Sequence, residues 1–173
     1  KYYTMDFFGN IKLWFDNDLN FQYQWHHDVS PSKYPGFYLV HVNDMKQKPF
    51  AEDVLIEIDV NDNSLIRVID LKQILNIDLP VIKDALFEVS DGPENEEKFD
   101  WFHGNSVEYV PSRDEIIISG RHLGLVGLDY NSLKINWFLP HNPEFYSEKQ
   151  EYPLLTPVFE GFIPPNGQHN LTY

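Results

Sequence analysis

Seven histidines are the side chains of this chain best suited to chemistry near neutral pH, since its 173 residues include no cysteine. An imidazole can ligate a metal such as zinc, bind an anion, transfer a proton or act as a nucleophile. A single histidine is more often a surface or core residue than a catalyst, so position in the fold must decide. The seven are His26, His27, His41, His103, His122, His141 and His169.

Four of these histidines share a sequence context, at the start of a predicted β unit. His26 and His27 lie in "WHHDVS", His103 in "FHGNSV" and His169 in "GQHNLT", each just before a predicted first strand. Similar contexts in similar units predict equivalent places in a repeating fold.

Short apolar segments separated by turn residues predict an all-β chain. Turn clusters such as Gly9-Asn10 and Asn61-Asp62-Asn63 join them. A helical spacing of apolar residues within 70–87 predicts a short helix, which Pro80 should end or bend. The predicted strands are 2–7, 12–15, 37–42, 54–60, 64–71, 106–110, 115–120, 124–130 and 133–139.

One β unit recurs three times along the chain. "YYTMDFFGNIKLWF", "VLIEIDVNDNSLIRVIDL" and "LVGLDYNSLKINWFL" each pair two apolar strands around an aspartate and a short turn. Repetition of such units is typical of a β-propeller, with an ordinary antiparallel sandwich as the alternative. The propeller interpretation predicts a blade remnant at 1–15, a blade at 26–71 with an insertion at 72–99, a blade at 100–139, a connection at 140–166 and the start of a further blade at 167–173.

The first strand of each propeller blade lines the central channel, so His103, His169 and one of His26 and His27 should converge there. Arg121, one strand after His103, should lie near the same end of the channel. An arginine beside histidines disfavours a metal dication and favours a planar oxyanion such as sulfate or phosphate. Metal binding, anion binding and catalysis remain open on these residues alone.

Charge and composition exclude several function classes. The formal net charge is −14, which argues against a general nucleic-acid binder and against an anchor on anionic lipid. Without cysteine there is no disulfide, thiolate ligand or thiol nucleophile. No apolar run reaches the roughly 18 residues of a membrane span.

The stretch "DWFHGNSVEYVPSRDEIIISGRHLGLVGLDY" resembles the central motif of bacterial arylsulfate sulfotransferases. In that family an Asp-Trp-x-His-x-Asn-Ser run precedes a strand, a turn and an Ile-rich strand ending in Ser-x-Arg. The "HHD" at 26–28 and the "GQH" at 167–169 resemble the upstream and downstream histidine motifs. The resemblance extends from about residue 2 to the end.

The resemblance implies a six-bladed β-propeller with a small additional N-terminal β domain, and an exported enzyme, periplasmic or extracellular. It implies transfer of a sulfuryl group from a phenolic sulfate ester to a phenol, by a ping-pong route through a sulfohistidine. It implies no cofactor, no metal and no phosphoadenosine donor. The implied partners are small-molecule phenols and their sulfates, with a homodimer left open.

The resemblance also implies roles for particular residues. His169 maps to the nucleophile, His103 and Arg121 to the central pair, and His27 is preferred to His26 as the upstream histidine because it adjoins Asp28. Further substrate-binding candidates are His26, Asn105 and Trp101, although core packing is the favoured interpretation of Trp101 and Phe102. Asp28 should orient a histidine or cap a turn, and His122 on a strand would face away from Arg121.

Roughly two and a half blades cannot close a propeller ring, in which every blade packs on two neighbours. We therefore expect this sequence to be part of a longer protein, and the 173-residue chain alone to be inactive.

Overall fold

The computed structural model describes residues 2–5, 9, 11–15, 22–47, 53–76, 88–89, 98–141, 152–155, 158–165 and 167–172. These residues form an all-β structure, as the sequence predicts, and it is dominated by two antiparallel sheets of four strands. Two further strand pairs are short. They are β1 (Tyr2–Met5) with β2 (Ile11–Phe15), and β7 (Glu88–Val89) with β8 (Lys98–Phe99).

The first large sheet follows the chain in order, each strand pairing with the next. Its strands are β3 (Tyr23–Pro31), β4 (Phe37–Asp44), β5 (Val54–Asp59) and β6 (Ser64–Asp70). The strand β3 begins before the two adjacent histidines, so His26 and His27 lie within it. The expectation that they precede their first strand is wrong, because pairing with β4 resumes on both sides of them.

The second large sheet repeats this arrangement. Its strands are β9 (Gly104–Val110), β10 (Glu115–Gly120), β11 (Gly124–Asp129) and β12 (Ile135–Pro140), again paired in chain order. Its bounds differ from the predicted ones by a few residues at most.

The predicted helix is one short turn, α1 (Leu71–Leu75), which begins directly after β6. The Asp70 side chain caps it by accepting from the backbone N–H of Gln73 at 3.2 Å. Residues 77–87 of the predicted helical segment lie outside the described residues. No helix in the described part of the chain is long and apolar enough to cross a membrane.

The main hydrophobic core joins the two sheets. Leu39 and Leu55 of the first sheet pack in one cluster with Val107, Ile118 and other residues of the second. Burying each such side chain contributes about 1.5–3 kcal/mol, so the facing sheets hold each other firmly. The strands most directly in contact between the sheets are the first strands, β3 and β9.

Polar groups link the sheets away from these first strands. Arg67 pairs with the buried carboxylate of Glu57 at 2.7 Å and stacks over the ring of Tyr130 at 4.2 Å. The Tyr130 hydroxyl donates to Glu57 at 2.7 Å. Lys33 pairs with Asp114 at 2.7 Å across the same boundary. These contacts fix the relative placement of the two sheets.

Candidate active site

Asp28 connects the two first strands. Its Oδ2 accepts hydrogen bonds from the Ser106 hydroxyl and from the Val107 backbone N–H, both at 3.0 Å. The bonds of Asp28 Oδ2 thus link the two sheets, a role that the sequence did not predict. Asp28 holds β9 against β3, and so brings His27 of β3 close to His103, which directly precedes β9.

His27 occupies a bulge in β3. Pairing with β4 passes from Trp25–Val42 to Val29–Val40, so three residues of β3 lie opposite the single residue His41. The φ of His27 is 51°, an uncommon left-handed value for a residue with a side chain. The bulge turns the exposed His27 ring toward the second sheet.

His26 lies on the other side of this bulge. Its ring centroid is 5.8 Å from that of the buried His41, and its Nδ1 is 2.7 Å from the Nδ1 of His27. The two adjacent histidines are therefore hydrogen-bonded to each other but have different further neighbours, which are His103 for His27 and His41 for His26. A substrate contact by His26 stays a prediction.

His103 precedes β9 and has the same unusual backbone as His27, with φ of 53°. Its Nδ1 is hydrogen-bonded to Asp100 Oδ2, three residues earlier. Burial alone would raise the pKa of Asp100, but the bonds and charges of His103 and His122 outweigh it and lower that pKa to about 2. His103 therefore has an anionic partner throughout the neutral pH range.

The segment carrying His169 is docked on the second sheet by side chains of the central motif. Asn105 donates from Nδ2 to the Gln168 carbonyl at 2.6 Å. Gln168 in turn donates from Nε2 to the Gly120 carbonyl at 2.8 Å. The Leu171 N–H donates to Ser106 Oγ at 3.1 Å. Asn105 is one of the predicted substrate-binding residues. The bond observed here instead holds the residue next to His169, and a substrate contact stays a prediction.

Three imidazoles converge at the junction of these segments. Ring centroids are 5.2 Å apart for His27 and His103, 5.9 Å for His103 and His169, and 6.2 Å for His27 and His169. One nitrogen of each ring lies within 4.8 Å of one nitrogen of the others. Donors at this spacing could surround a divalent cation or the oxygens of a tetrahedral anion.

Arg121 directly follows β10, and its backbone N–H donates to the His103 carbonyl at 3.0 Å. Its side chain is exposed. Among the described residues, no carboxylate forms an ion pair with its guanidinium. The backbone bond places Arg121 next to His103, and a cation within reach of three imidazoles favours an anion over a dication.

His122 and Asp100 join the site without having been predicted. His122 lies in the turn between β10 and β11 rather than on a strand, so strand alternation does not direct it away. Its Nε2 is 3.7 Å from Asp100 Oδ2, and its ring is 5.2 Å from that of His103. The Asp-x-x-His spacing of "DWFH" was the one sequence signal that could have indicated Asp100.

Trp101 and Phe102 lie in the core. They are 3% and 0% exposed, and the Trp101 indole N–H donates to Asp53 at 2.8 Å. Both side chains therefore pack in the hydrophobic core, as the sequence predicts. Trp101 has little exposed surface for stacking on a phenol. The Phe102 ring also excludes any side chain at position 120, because a Cβ added to Gly120 would lie 2.6 Å from the ring.

His41 is a buried histidine outside the histidine cluster, which consists of His27, His103 and His169. It is fully buried beneath the β3 bulge, and burial lowers its pKa to about 3. His41 is therefore a neutral packing residue at physiological pH.

Comparison with known proteins identifies the family of the chain. The family model described as Arylsulfotransferase (ASST) matches residues 1–173. No curated protein matches the chain. The match spans both sheets and all three converging histidines, and the chain belongs to the arylsulfotransferase family.

Proposed function

We propose that the protein transfers a sulfuryl group from an aryl sulfate ester to a phenol, through a sulfohistidine formed on His169. The observation that carries the proposal is the convergence of His27, His103 and His169 beside Arg121, in a chain that belongs to the arylsulfotransferase family.

His169 is suited to act as the nucleophile. Its Nδ1 is 3.2 Å from the Gly167 carbonyl, which can only accept a hydrogen bond. That contact favours the proton on Nδ1 and leaves a lone pair on Nε2. In the first half-reaction the Nε2 lone pair forms the N–S bond while the S–O bond to the aryl oxygen breaks.

The neighbouring residues handle charge and protons. The departing phenolate keeps the electron pair of the broken bond and takes a proton from His103. In the second half-reaction the acceptor phenol returns a proton to His103, and its oxygen attacks sulfur to release His169. Arg121 and His27 stabilise the sulfuryl oxygens, because preorganised donors act most strongly where charge lies in the transition state.

The same proposal covers the architecture and setting. Two sheets of equal topology with adjacent first strands are what neighbouring blades of a propeller present, and the proposed whole is the six-bladed ring of the family. We propose an exported, cofactor-independent enzyme whose ring is completed by further blades. On this basis the 173-residue chain alone is inactive.

The test is transfer from 4-nitrophenyl sulfate to phenol by the full-length protein. Activity is expected, with loss on His169→Ala and retention on His141→Ala, which changes a histidine outside the cluster. Mass analysis of the protein treated with donor alone should find one sulfuryl group on the His169 peptide.

Two outcomes would contradict the proposal. Absence of transfer with retained binding of inorganic sulfate would favour a non-catalytic propeller that binds an anionic ligand or partner. Loss of activity on chelation, with stoichiometric metal in the purified protein, would favour a three-histidine metal site.

A further inference from the structure

Asp100 is a buried carboxylate next to the cluster, to which the proposed chemistry gives no role. Its side chain is 7% exposed. Oδ2 is bonded to His103 Nδ1 and lies 3.7 Å from His122 Nε2. His103 is therefore its main partner and His122 a weaker one.

The imidazoles of His103 and His122 are the groups that stabilise the ionised Asp100 carboxylate. No lysine or arginine in the described part of the chain forms an ion pair with Asp100. Burying an ionised carboxylate is costly unless it is paired, yet the bonds from the rings keep the pKa of Asp100 at about 2. A buried charge held in this way restricts the geometry of the rings around it.

The bond fixes the proton of His103. An ionised carboxylate only accepts hydrogen bonds, so Nδ1 of His103 must be the protonated nitrogen. Chemistry at His103 must then use Nε2. The groups facing this ring are Asp100, His27, His122 and His169, with Arg121 bonded to its backbone. The cation of Arg121 disfavours a second proton on His103, and the Asp100 carboxylate opposes that effect.

We propose that Asp100 is a positioning residue, which fixes a proton on His103 Nδ1 and orients the ring so that Nε2 is the acid and base at the aryl oxygen. The assignment of the aryl oxygen rests on the proposed function. In the first half-reaction Nε2–H gives its proton to the departing phenolate, and in the second Nε2 takes the proton of the acceptor phenol. The Nδ1 proton stays on the bond to Asp100 throughout.

A nuclear magnetic resonance experiment tests the positioning without requiring activity. The full-length protein is labelled with ¹⁵N in histidine, and His103 is assigned by its loss in His103→Gln. At alkaline pH the neutral His103 ring should carry its proton on Nδ1, and Asp100→Asn should give a mixture of tautomers. An Nε2–H tautomer in the wild-type protein would overturn the proposal, whether or not the protein transfers sulfate.

A kinetic experiment tests the consequence for acid–base chemistry. Asp100→Asn should lower kcat roughly 10²- to 10⁴-fold, the range for loss of a general acid, with little change in KM for the donor. The alkaline limb of the pH–rate profile should move to lower pH, because an uncharged amide stabilises protonated His103 less than a carboxylate does. His122→Asn should lower kcat less, given the longer contact.

Asp53→Asn is the matched control for this experiment. Asp53 is 2% exposed and accepts from an aromatic N–H at 2.8 Å, but it lies outside the cluster. It should leave the pH–rate profile unchanged. Equal shifts in both variants, or no shift in Asp100→Asn, would show that Asp100 is merely structural. If Asp100→Asn does not fold, the proposal is tested by the tautomer of His103 in the wild-type protein alone.

Discussion

Asp28 Oδ2 lies 3.0 Å from Ser106 Oγ, and this hydrogen bond joins the first strands of the two sheets. Ser106 also accepts from the Leu171 N–H, so the one hydroxyl links all three histidine-bearing segments. The site is therefore assembled by polar groups that take no part in the proposed chemistry.

Removing this link should destabilise the protein and separate His27 from His103. Asp28→Ala leaves the Ser106 hydroxyl and the Val107 N–H without their acceptor, so we expect the free energy of unfolding to fall by about 2–3 kcal/mol. Urea denaturation measures this change. Asp62→Ala, in the exposed turn after β5, is the control and should alter it by less than about 0.5 kcal/mol. Equal effects of the two substitutions would contradict the role of Asp28.

Arg121 should matter for catalysis far more than for stability. Arg121→Ala should lower kcat for sulfuryl transfer about 10²- to 10³-fold, since it removes a cation proposed to contact the transferring group. Arg121→Lys should recover only part of the rate, because an ammonium cannot contact two oxygens in one plane. Steady-state kinetics on an aryl sulfate measures both.

Arg113 provides the control, because it precedes β10 as Arg121 follows it. Arg113 pairs with Glu115 at 3.1 Å, away from the histidines. Arg113→Ala should keep kcat within about twofold of wild type while costing about 1–3 kcal/mol of stability, because the buried Glu115 carboxylate loses its ion-pair partner. A rate loss equal to that of Arg121→Ala would point to a general effect of charge.

Asn105 should act on the rate through His169. Asn105→Ala removes the bond to the Gln168 carbonyl, so the segment bearing the proposed nucleophile loses one of its anchors. We expect kcat to fall at least about tenfold, since small displacements of a reacting group are costly, with a stability loss of about 1 kcal/mol.

Asn136→Ala is the matched control for Asn105→Ala. Asn136 lies on β12, the outermost strand of the second sheet, and its amide donates to Glu115 at 2.9 Å. It should cost similar stability and leave kcat unchanged. Parallel losses of rate in both asparagine variants would argue that the Asn105 effect is global.

Stability should depend on pH through His41. Its pKa is about 3 in the folded protein and near 6.5 when unfolded, so the unfolded chain binds one more proton between these values. The contribution of His41 to the free energy of unfolding is therefore fully present above about pH 6.5. It declines by up to about 1.4 kcal/mol per pH unit as the pH falls toward 3. Urea denaturation from pH 7.5 to 5 measures it. His41→Gln should flatten the dependence and the exposed His169→Gln should not.

The extent of prediction differs between the fold and the site. Turn clusters and alternating apolar residues indicated every strand of the two large sheets except β3, which carries the two adjacent histidines. Its bulge puts several polar residues in succession, so the regular alternation that identifies a strand is absent there. The prediction that His122 faces away from Arg121 assumed a strand. Residues 121–123 form a turn, in which successive side chains do not alternate between two faces.

The sequence by itself determined the all-β class, the repeated unit, the family and the names of the histidines brought together. Those features are local, since strand period, turn chemistry and the "DWFHGNS" motif are properties of neighbouring residues. Tertiary structure alone decided that a bulge in β3 turns the His27 ring toward His103, that Asn105 anchors the segment of His169, and that Asp100 and His122 lie beside the cluster. Each depends on side-chain direction and on contacts between segments tens of residues apart, which left-handed backbone at His27 and His103 and polar links such as Asp28–Ser106 set only once both sheets have packed.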